Sequence, residues 1–438
     1  MNDSAQSTTE KAAAAEAAAL QLANLSDTTR TNAVMQIADE LEAQKDRILD
    51  ANAVDVERAT EKLEAGEYSK AFVDRLTLSS SKISDIAEMV RSVAQQEDPL
   101  GKTLEARELD TDLILFKLSV PIGVIGTVFE SRPDALVQIA ALSLKSGNAV
   151  ILKGGSEAAH SNRVLYEIIE EATADIPSGW AQLIEARADV ATLLELDESV
   201  DLIMPRGSSA FVEYVEQHTS IPVLGHTEGV CHIFIDNQAD LQMAKEVIID
   251  AKVQYPAVCN AVETVLIHQD ITEQLLPELA AELKDEGVTI CGDEAVRRLI
   301  TATEATTDDW TSEYGDLILA IKTVDSVDAA INHINSYGSK HTESIITDDA
   351  STAHEFMRRV DAASVFHNAS TRFADGFRFG LGAEVGISTG KTHARGPVGL
   401  DGLTTYKYYL KGDGHRVGTY AGESAEPFTH RDTDSSWP

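Results

Sequence analysis

LKSGNAVILKGGSEA (144–158) is the stretch that decides the fold class. Gly147-Asn148 marks a tight turn, AVILK is a short unbroken apolar run, and Gly154-Gly155-Ser156 leads into a helical pattern. An apolar run that does not alternate suits a strand covered on both faces, as in a parallel sheet. The same alternation extends outward. Strands are expected at 122–129, 148–152, 181–184 and 200–204, separated by helices at 133–146, 157–172 and 189–194. A second series begins with HIFID at 232–236 and a helix at 239–250, then VETVLIH at 262–268. Helix 271–285, strand 288–290, helix 326–335 and strand 343–347 continue it. Strands alternating with helices predict an α/β chain with a mostly parallel sheet. Residues 10–64 read as helices with a start signal at Ser26-Asp27, and 80–95 as a further amphipathic helix. LILFKLSV (113–120) follows the turn-like Asp110-Thr111-Asp112 and reads as a strand without a βα partner. The polar stretch at the end is expected to fray.

A length of 438 residues predicts two or three domains. Lys and Arg total 36 against 72 Asp and Glu, a formal charge of −36. That sign argues against sequence-independent nucleic-acid binding and against an anionic membrane surface. No apolar run approaches a spanning helix, and the first residues lack a secretory pattern. Three cysteines suit a reducing compartment, so a cytoplasmic location is expected. The acid is spread along the chain, as at Asp39, Glu40 and Glu42, rather than gathered in a tail. Screening in a very salty cytoplasm would remove most of the resulting self-repulsion.

No G-x-G-x-x-G follows a strand, and GISTGKT (386–392) is one residue short of a P-loop. Lys153 and Ser156, at the carboxyl end of the 148–152 strand, offer a cation and a hydroxyl to a ribose or its 2′-phosphate. The plainer alternative is a solvated lysine in a βα loop. Cys231 reads as a small core residue and Cys291 as a strand end. Cys259 sits in the Pro-containing loop QYPAVCNAVET (254–264), where a nucleophile would be carried on a rigid scaffold. A buried inert thiol is the alternative there. His226 and His232 flank Glu228, but no H-E-x-x-H or C-x-x-C occurs, so no metal site is expected.

Taken in order, VPIGVIGTVFESRPD (120–134), LKSGNAVILKGGSEA (144–158), DLIMPRGSSA (201–210) and IPVLGHTEGVCHIFID (221–236) form a recognisable series. AKVQYPAVCNAVETVLIH (251–268), HNASTRFADGFRFGLGAEVGISTGK (367–391) and ARGPVGLDGLTTYKYYLKG (394–412) complete it. The chain resembles the gamma-glutamyl phosphate reductases, or glutamate-5-semialdehyde dehydrogenases, of the aldehyde dehydrogenase superfamily. The resemblance covers residues 10 to 415. Its most specific phrases are Glu130-Ser131-Arg132-Pro133, the Cys259 loop and Phe373-Ala374-Asp375-Gly376.

The resemblance implies an aldehyde dehydrogenase-like α/β fold with two parallel-sheet, Rossmann-like domains and a small oligomerisation element. Residues 1–103 and 121–230 would bind the cofactor, and 231–398 would carry the nucleophile. Residues 104–120 and 399–415 would form the oligomerisation element, leaving 416–438 as a polar tail. The implied reaction is NADPH-dependent reduction of L-glutamyl 5-phosphate to L-glutamate 5-semialdehyde and phosphate, in proline biosynthesis. A Cys259 thiolate would displace phosphate to form a thioester, which hydride then reduces. The Cys259 backbone N–H and the Asn260 side chain are the expected oxyanion donors. Arg132 and Arg372 are expected to hold the substrate's anionic groups, with Arg395, Ser370 and Thr371 in matching motifs. Lys153 and Ser156 are the expected NADP(H) contacts, with Arg206, Gly207 and Ser208 against its pyrophosphate. The superfamily's hydrolytic glutamate would fall near Gly225, with Glu228 offset by three residues, and its oxyanion asparagine is missing near Glu130–Arg132. A homo-oligomer, dimer or tetramer, is implied, with glutamate 5-kinase a conceivable partner because its product is labile.

Overall fold

Strand Ala149–Gly154 is buried along its whole length. It pairs in parallel with Val124–Phe129 on one side and Ala181–Leu183 on the other, and Val124–Phe129 pairs with Leu202–Arg206. The computed structural model describes residues 6–438 apart from Ser131 and Thr227, and within it these four strands form one sheet. Gly147 takes φ +72°, a conformation glycine adopts freely. Asn148 then pins the turn: its Oδ1 accepts from the Gly123 N–H at 2.8 Å, and its Nδ2 donates to the Leu403 carbonyl at 2.8 Å.

Helices cover this sheet because their apolar faces have no other place to go. Pro133–Lys145 opens on a proline, whose missing N–H costs nothing in the first turn, and is buried almost throughout. Asp27–Ala43 is capped by the Ser26 side chain, which accepts from the Thr29 N–H. Thr8–Leu22 and Ser80–Gln95 add Ala15, Leu22, Ile83 and Val90 to the same core. Ala383, Val385, Val398, Leu400 and Leu403 also pack into this core, although they follow the second sheet in sequence.

The second sheet has seven parallel strands. Their spatial order is Thr303–Glu304, Thr289–Gly292, Ile318–Val324, Val262–His268, Cys231–Ile235, Thr342–Ile346 and Ser364–His367. Ile318–Val324 was not foreseen although it lies near the middle, and Ser364–His367 was not foreseen at one edge.

The third sheet is antiparallel, in the order Thr404–Lys411, Leu113–Pro121, Thr103–Asp110, Arg431–Asp432. Asp112, at φ +59°, turns the chain between the two central strands. The tail departs from the expectation of fraying. Arg431 pairs with Glu108 at 2.7 Å and Arg107 with Asp432 at 3.0 Å. Trp437 packs on Phe116 and Tyr409, at ring separations of 5.4 and 5.3 Å. Aromatic contact and paired charge outweigh the polar composition of 416–438. Among the described residues, no helix is long and apolar enough to cross a membrane.

Candidate active site

Helix Leu241–Val253 ends just before the Cys259 loop, and strand Val262–His268 begins just after it. Lys252 Nζ meets Glu263 Oε2 at 2.6 Å, both fully buried, so an ion pair clamps the two ends of the loop. Glu263 also accepts from the Gly315 N–H at 3.3 Å. Beneath Cys259, Gly229 leaves no room for a side chain: a Cβ there would overlap the Cα and carbonyl of Cys259. The Cys231 thiol donates to that carbonyl at 3.2 Å from a fully buried position. Because the obstructing atoms are backbone, they cannot swing aside. Gly229→Ala is therefore expected to cost about 1–3 kcal/mol by overpacking and to lower kcat at least tenfold, by roughly the penalty for a misplaced reacting group. Urea midpoints and steady-state rates measured together check both effects.

Cys259 faces a cleft of about 750 Å³ bounded by the end of strand Leu202–Arg206 and by the loop that leads into the seven-stranded sheet. Arg132, Arg206, His226, Glu313, Arg372 and Glu384 line it with the thiol. Burial, helped by Glu313 and Glu384, pushes the Cys259 thiol up to about 12, while Arg206 pulls the other way. Cys259 therefore rests as a thiol. His226 lies beside it, with a ring nitrogen within 4.8 Å of the sulfur. Its Nδ1 donates to the Ile387 carbonyl at 3.1 Å, which leaves Nε2 as an acceptor. Burial lowers its pKa, so the ring is neutral at pH 7. Glu384 is pushed up to about 7, first by burial and then by Asp375, against the pull of Arg206 and Arg132. It accepts from the Gly376 N–H at 2.9 Å. The Glu313 side chain reaches in from an otherwise exposed residue to accept from the Gly229 N–H at 2.9 Å, and burial of its carboxyl raises its pKa.

The cleft gathers Cys259, Asn260, Arg132, Arg206, Gly207, Ser208 and Arg372 from the residues expected in the sequence. Asn260 Nδ2, expected to meet an oxyanion, donates one of its two hydrogens to the Ala374 carbonyl at 2.9 Å. This bond ties the Cys259 loop to the Phe373–Gly376 turn, while among the described residues Asn260 Oδ1 is buried without a hydrogen-bond partner. Arg206, expected along a pyrophosphate, lies in the cleft with its charge acting on Cys259, and its Nη1 is buried without a hydrogen-bond partner. Arg372 Nε donates to Gln254 Oε1 at 3.0 Å, fixing its fork at the cleft wall. Arg395 instead pairs with Asp361 at 3.0 Å, outside the cleft.

Lys153 and Ser156 lie outside the cleft lining. Lys153 is buried and donates to the Gly154 carbonyl at 2.6 Å, whereas Ser156 is exposed at the start of a short 3₁₀ turn. Ser208 precedes helix Ser209–Gln217, and its backbone N–H bonds Glu130. Glu228 is exposed and Gly225 packs near Pro205, so neither occupies the place of a water-activating base at Cys259. Ser131 lies outside the described residues.

The aldehyde dehydrogenase family model matches residues 1–297. A gamma-glutamyl phosphate reductase from Natronomonas pharaonis is 68% identical over 434 residues, covering 99% of each chain. The chain belongs to the gamma-glutamyl phosphate reductase family. A second relative so named, from Haloquadratum walsbyi, is 66% identical and covers 99% of this chain and 97% of its own. Both come from halophiles, which accords with the acidic composition. The crystal structure of a gamma-glutamyl phosphate reductase from Thermotoga maritima superposes with a TM-score of 0.91 at 41% identity. It covers 94% of this chain and all of that one. Within this reductase fold, sequence reading had missed His226 as a partner of the thiol, Glu313 and Glu384. The LGHTEG and LGAEVG phrases contain two of them, but no local pattern says that either faces Cys259.

Proposed function

We propose that the chain catalyses reduction of L-glutamyl 5-phosphate to L-glutamate 5-semialdehyde and phosphate, the second step of proline biosynthesis from glutamate. One observation carries this: a cysteine with an adjacent neutral imidazole faces a cleft bearing both arginines and carboxylates, which suits a substrate with two anionic groups and an ammonium. His226 Nε2 takes the Cys259 proton as the sulfur attacks the γ-carbonyl. The Arg206 guanidinium and the Cys259 N–H stabilise the tetrahedral oxyanion. Arg132 and Arg372 hold the phosphate and the α-carboxylate, and Glu384 holds the ammonium. Phosphate departs and leaves a Cys259 thioester. When bound, the nicotinamide cofactor supplies the hydride that reduces the thioester. Cys259 then leaves as the aldehyde forms and recovers its proton from His226.

Members of the aldehyde dehydrogenase family use NAD(P). This chain's residues fit such a group: Lys153 and exposed Ser156 stand at the carboxyl end of a parallel strand. The amides opening helix Ser209–Gln217 suit a pyrophosphate, with Gly207 and Ser208 beside them. NADP(H) is the reading favoured by the Lys153 cation near a 2′-phosphate. An oligomer is favoured by edge strand Thr404–Lys411, where Tyr406, Tyr408 and Leu410 are exposed. A cytoplasmic site suits its three free cysteines, and handover from glutamate 5-kinase suits the lability of an acyl phosphate.

Glu384 makes the scheme pH-sensitive. A carboxyl raised to about 7 is charged above that pH and neutral below it. Affinity for the ammonium-bearing substrate is therefore expected to fall as pH drops through about 7, and Glu384→Gln is expected to abolish that inflection in kcat/KM. An inflection that survives the substitution would remove Glu384 from substrate binding. The reaction itself is tested in reverse, with pyrroline-5-carboxylate, NADP+ and phosphate in concentrated KCl. NADPH formation is expected to require phosphate; phosphate-independent turnover would overturn the proposal and make Glu313 the base of a hydrolytic dehydrogenase.

A further inference from the structure

His341 precedes strand Thr342–Ile346 and is almost fully buried, yet the proposed reaction does not use it. Its Nδ1 bonds the Thr342 hydroxyl at 2.8 Å, while its Nε2 is buried with no hydrogen-bond partner. Its ring lies edge-on to His226, with centroids 5.3 Å apart. One ligand atom each from His226, Cys259 and His341 lies within 4.8 Å of the other two. A single base suffices to deprotonate a thiol, so a second neutral imidazole with an orphaned nitrogen needs another account.

We propose that His226, Cys259 and His341 form an inhibitory site for a thiophilic divalent cation with the coordination chemistry of zinc. One thiolate and two neutral imidazoles form a donor set that suits zinc and disfavours magnesium or calcium, which prefer oxygen. Both rings already carry the outer hydrogen bonds typical of metal-binding histidines. His226 Nδ1 is held by the Ile387 carbonyl and His341 Nδ1 by Thr342, so each Nε2 is the nitrogen left for a metal. Tetrahedral bonds of about 2.0–2.3 Å require the widest ligand separation to close by about 1 Å. Rotation of the Cys259 side chain on its loop can supply that movement. The cleft leaves the fourth position open to water or chloride.

No electron changes hands on binding. The Cys259 S–H bond breaks, its proton goes to solvent, and a sulfur–metal bond forms. The capped sulfur cannot attack an acyl phosphate, so inhibition is reversible by chelation. The spacing of His226 and His232 had suggested no metal site; the cluster instead uses His341, which is 115 positions beyond His226 in sequence.

This consequence for activity rests on Cys259 being the nucleophile, whereas the site itself does not. The test is therefore spectroscopic: cobalt(II) is titrated into the full-length protein in concentrated KCl without phosphate, and the near-ultraviolet thiolate-to-cobalt band is followed. Carboxylates on this acidic surface give no such band. One cobalt per chain is expected, displaced by zinc, with the band absent in Cys259→Ser and retained in Cys231→Ser. His226→Gln and His341→Gln are each expected to weaken binding at least tenfold, by roughly the loss seen on disturbing a metal's supporting shell. Absence of the band in folded wild-type protein, its persistence in Cys259→Ser, or unchanged affinity in both histidine variants would overturn the proposal. Turnover that survives Cys259→Ser would instead refute the nucleophile and leave the metal result standing.

Discussion

Cys259→Ala is expected to lower turnover on the order of 10⁴-fold or more while leaving the fold intact, because among the described residues no other thiol lines the cleft. Cys231 cannot substitute. Its sulfur is fully buried, donates to the Cys259 carbonyl and faces away from the cleft lining. Burial together with Glu343 and Cys259 raises its pKa well above the usual thiol range. The alanine variant removes a side chain that only borders a cleft, so circular dichroism and the urea midpoint should match the wild type. Assay of both directions, with phosphate present for the reverse, checks the loss. Residual turnover within tenfold of the wild type would place the chemistry on another group.

Lys252→Met is expected to destabilise the protein by about 3–5 kcal/mol, the usual effect of leaving one partner of a buried ion pair alone. Among the described residues, Glu263 would then retain only the Gly315 N–H as a hydrogen-bond donor in a fully buried site. The injury is not confined to stability. Lys252 and Glu263 flank the Cys259 loop, and Gly315 lies two residues from Glu313, which holds the Gly229 amide beneath that loop. Activity should therefore fall at temperatures where the variant is still folded. Replacing both partners, as Lys252→Met with Glu263→Leu, is expected to recover most of the lost stability, since well-packed apolar pairs often match buried ion pairs. Denaturant midpoints of the two variants check this; a double variant no more stable than the single one would show that the pair's geometry, rather than its charge balance, holds the loop.

The parallel architecture was legible because AVILK is apolar without alternation and VETVLIH, despite Glu263 and Thr264, contains the apolar run Val265-Leu266-Ile267, both within reach of glycine or polar turns. Ile318–Val324 carried a similar signal, LILAIKTV, but followed an irregular polar stretch that hid its start. The tail shows the limit of composition. Residues 416–438 have the polarity of a frayed end, and only the spatial meeting of Trp437 with Phe116 reveals what holds them. At the site, the Cys259 loop and the phrases carrying Arg132 and Arg372 pointed to residues that the structure brings to one cleft. Asn260 reads in sequence as an oxyanion donor, and no local pattern signals that its Nδ2 bonds the Ala374 carbonyl. His226, Glu313, His341 and Glu384 meet Cys259 from four distant segments, and long-range convergence leaves no periodic or spacing signal in one sequence.

Cys259 is proposed to carry an acyl group that phosphate releases. The most direct measurement is a rapid-mixing experiment with enzyme, pyrroline-5-carboxylate and excess NADP+ in concentrated KCl. Without phosphate, a burst of one NADPH per Cys259 is expected, followed by a stall that added phosphate relieves. Steady NADPH formation without phosphate, or the same burst from Cys259→Ala, would contradict it.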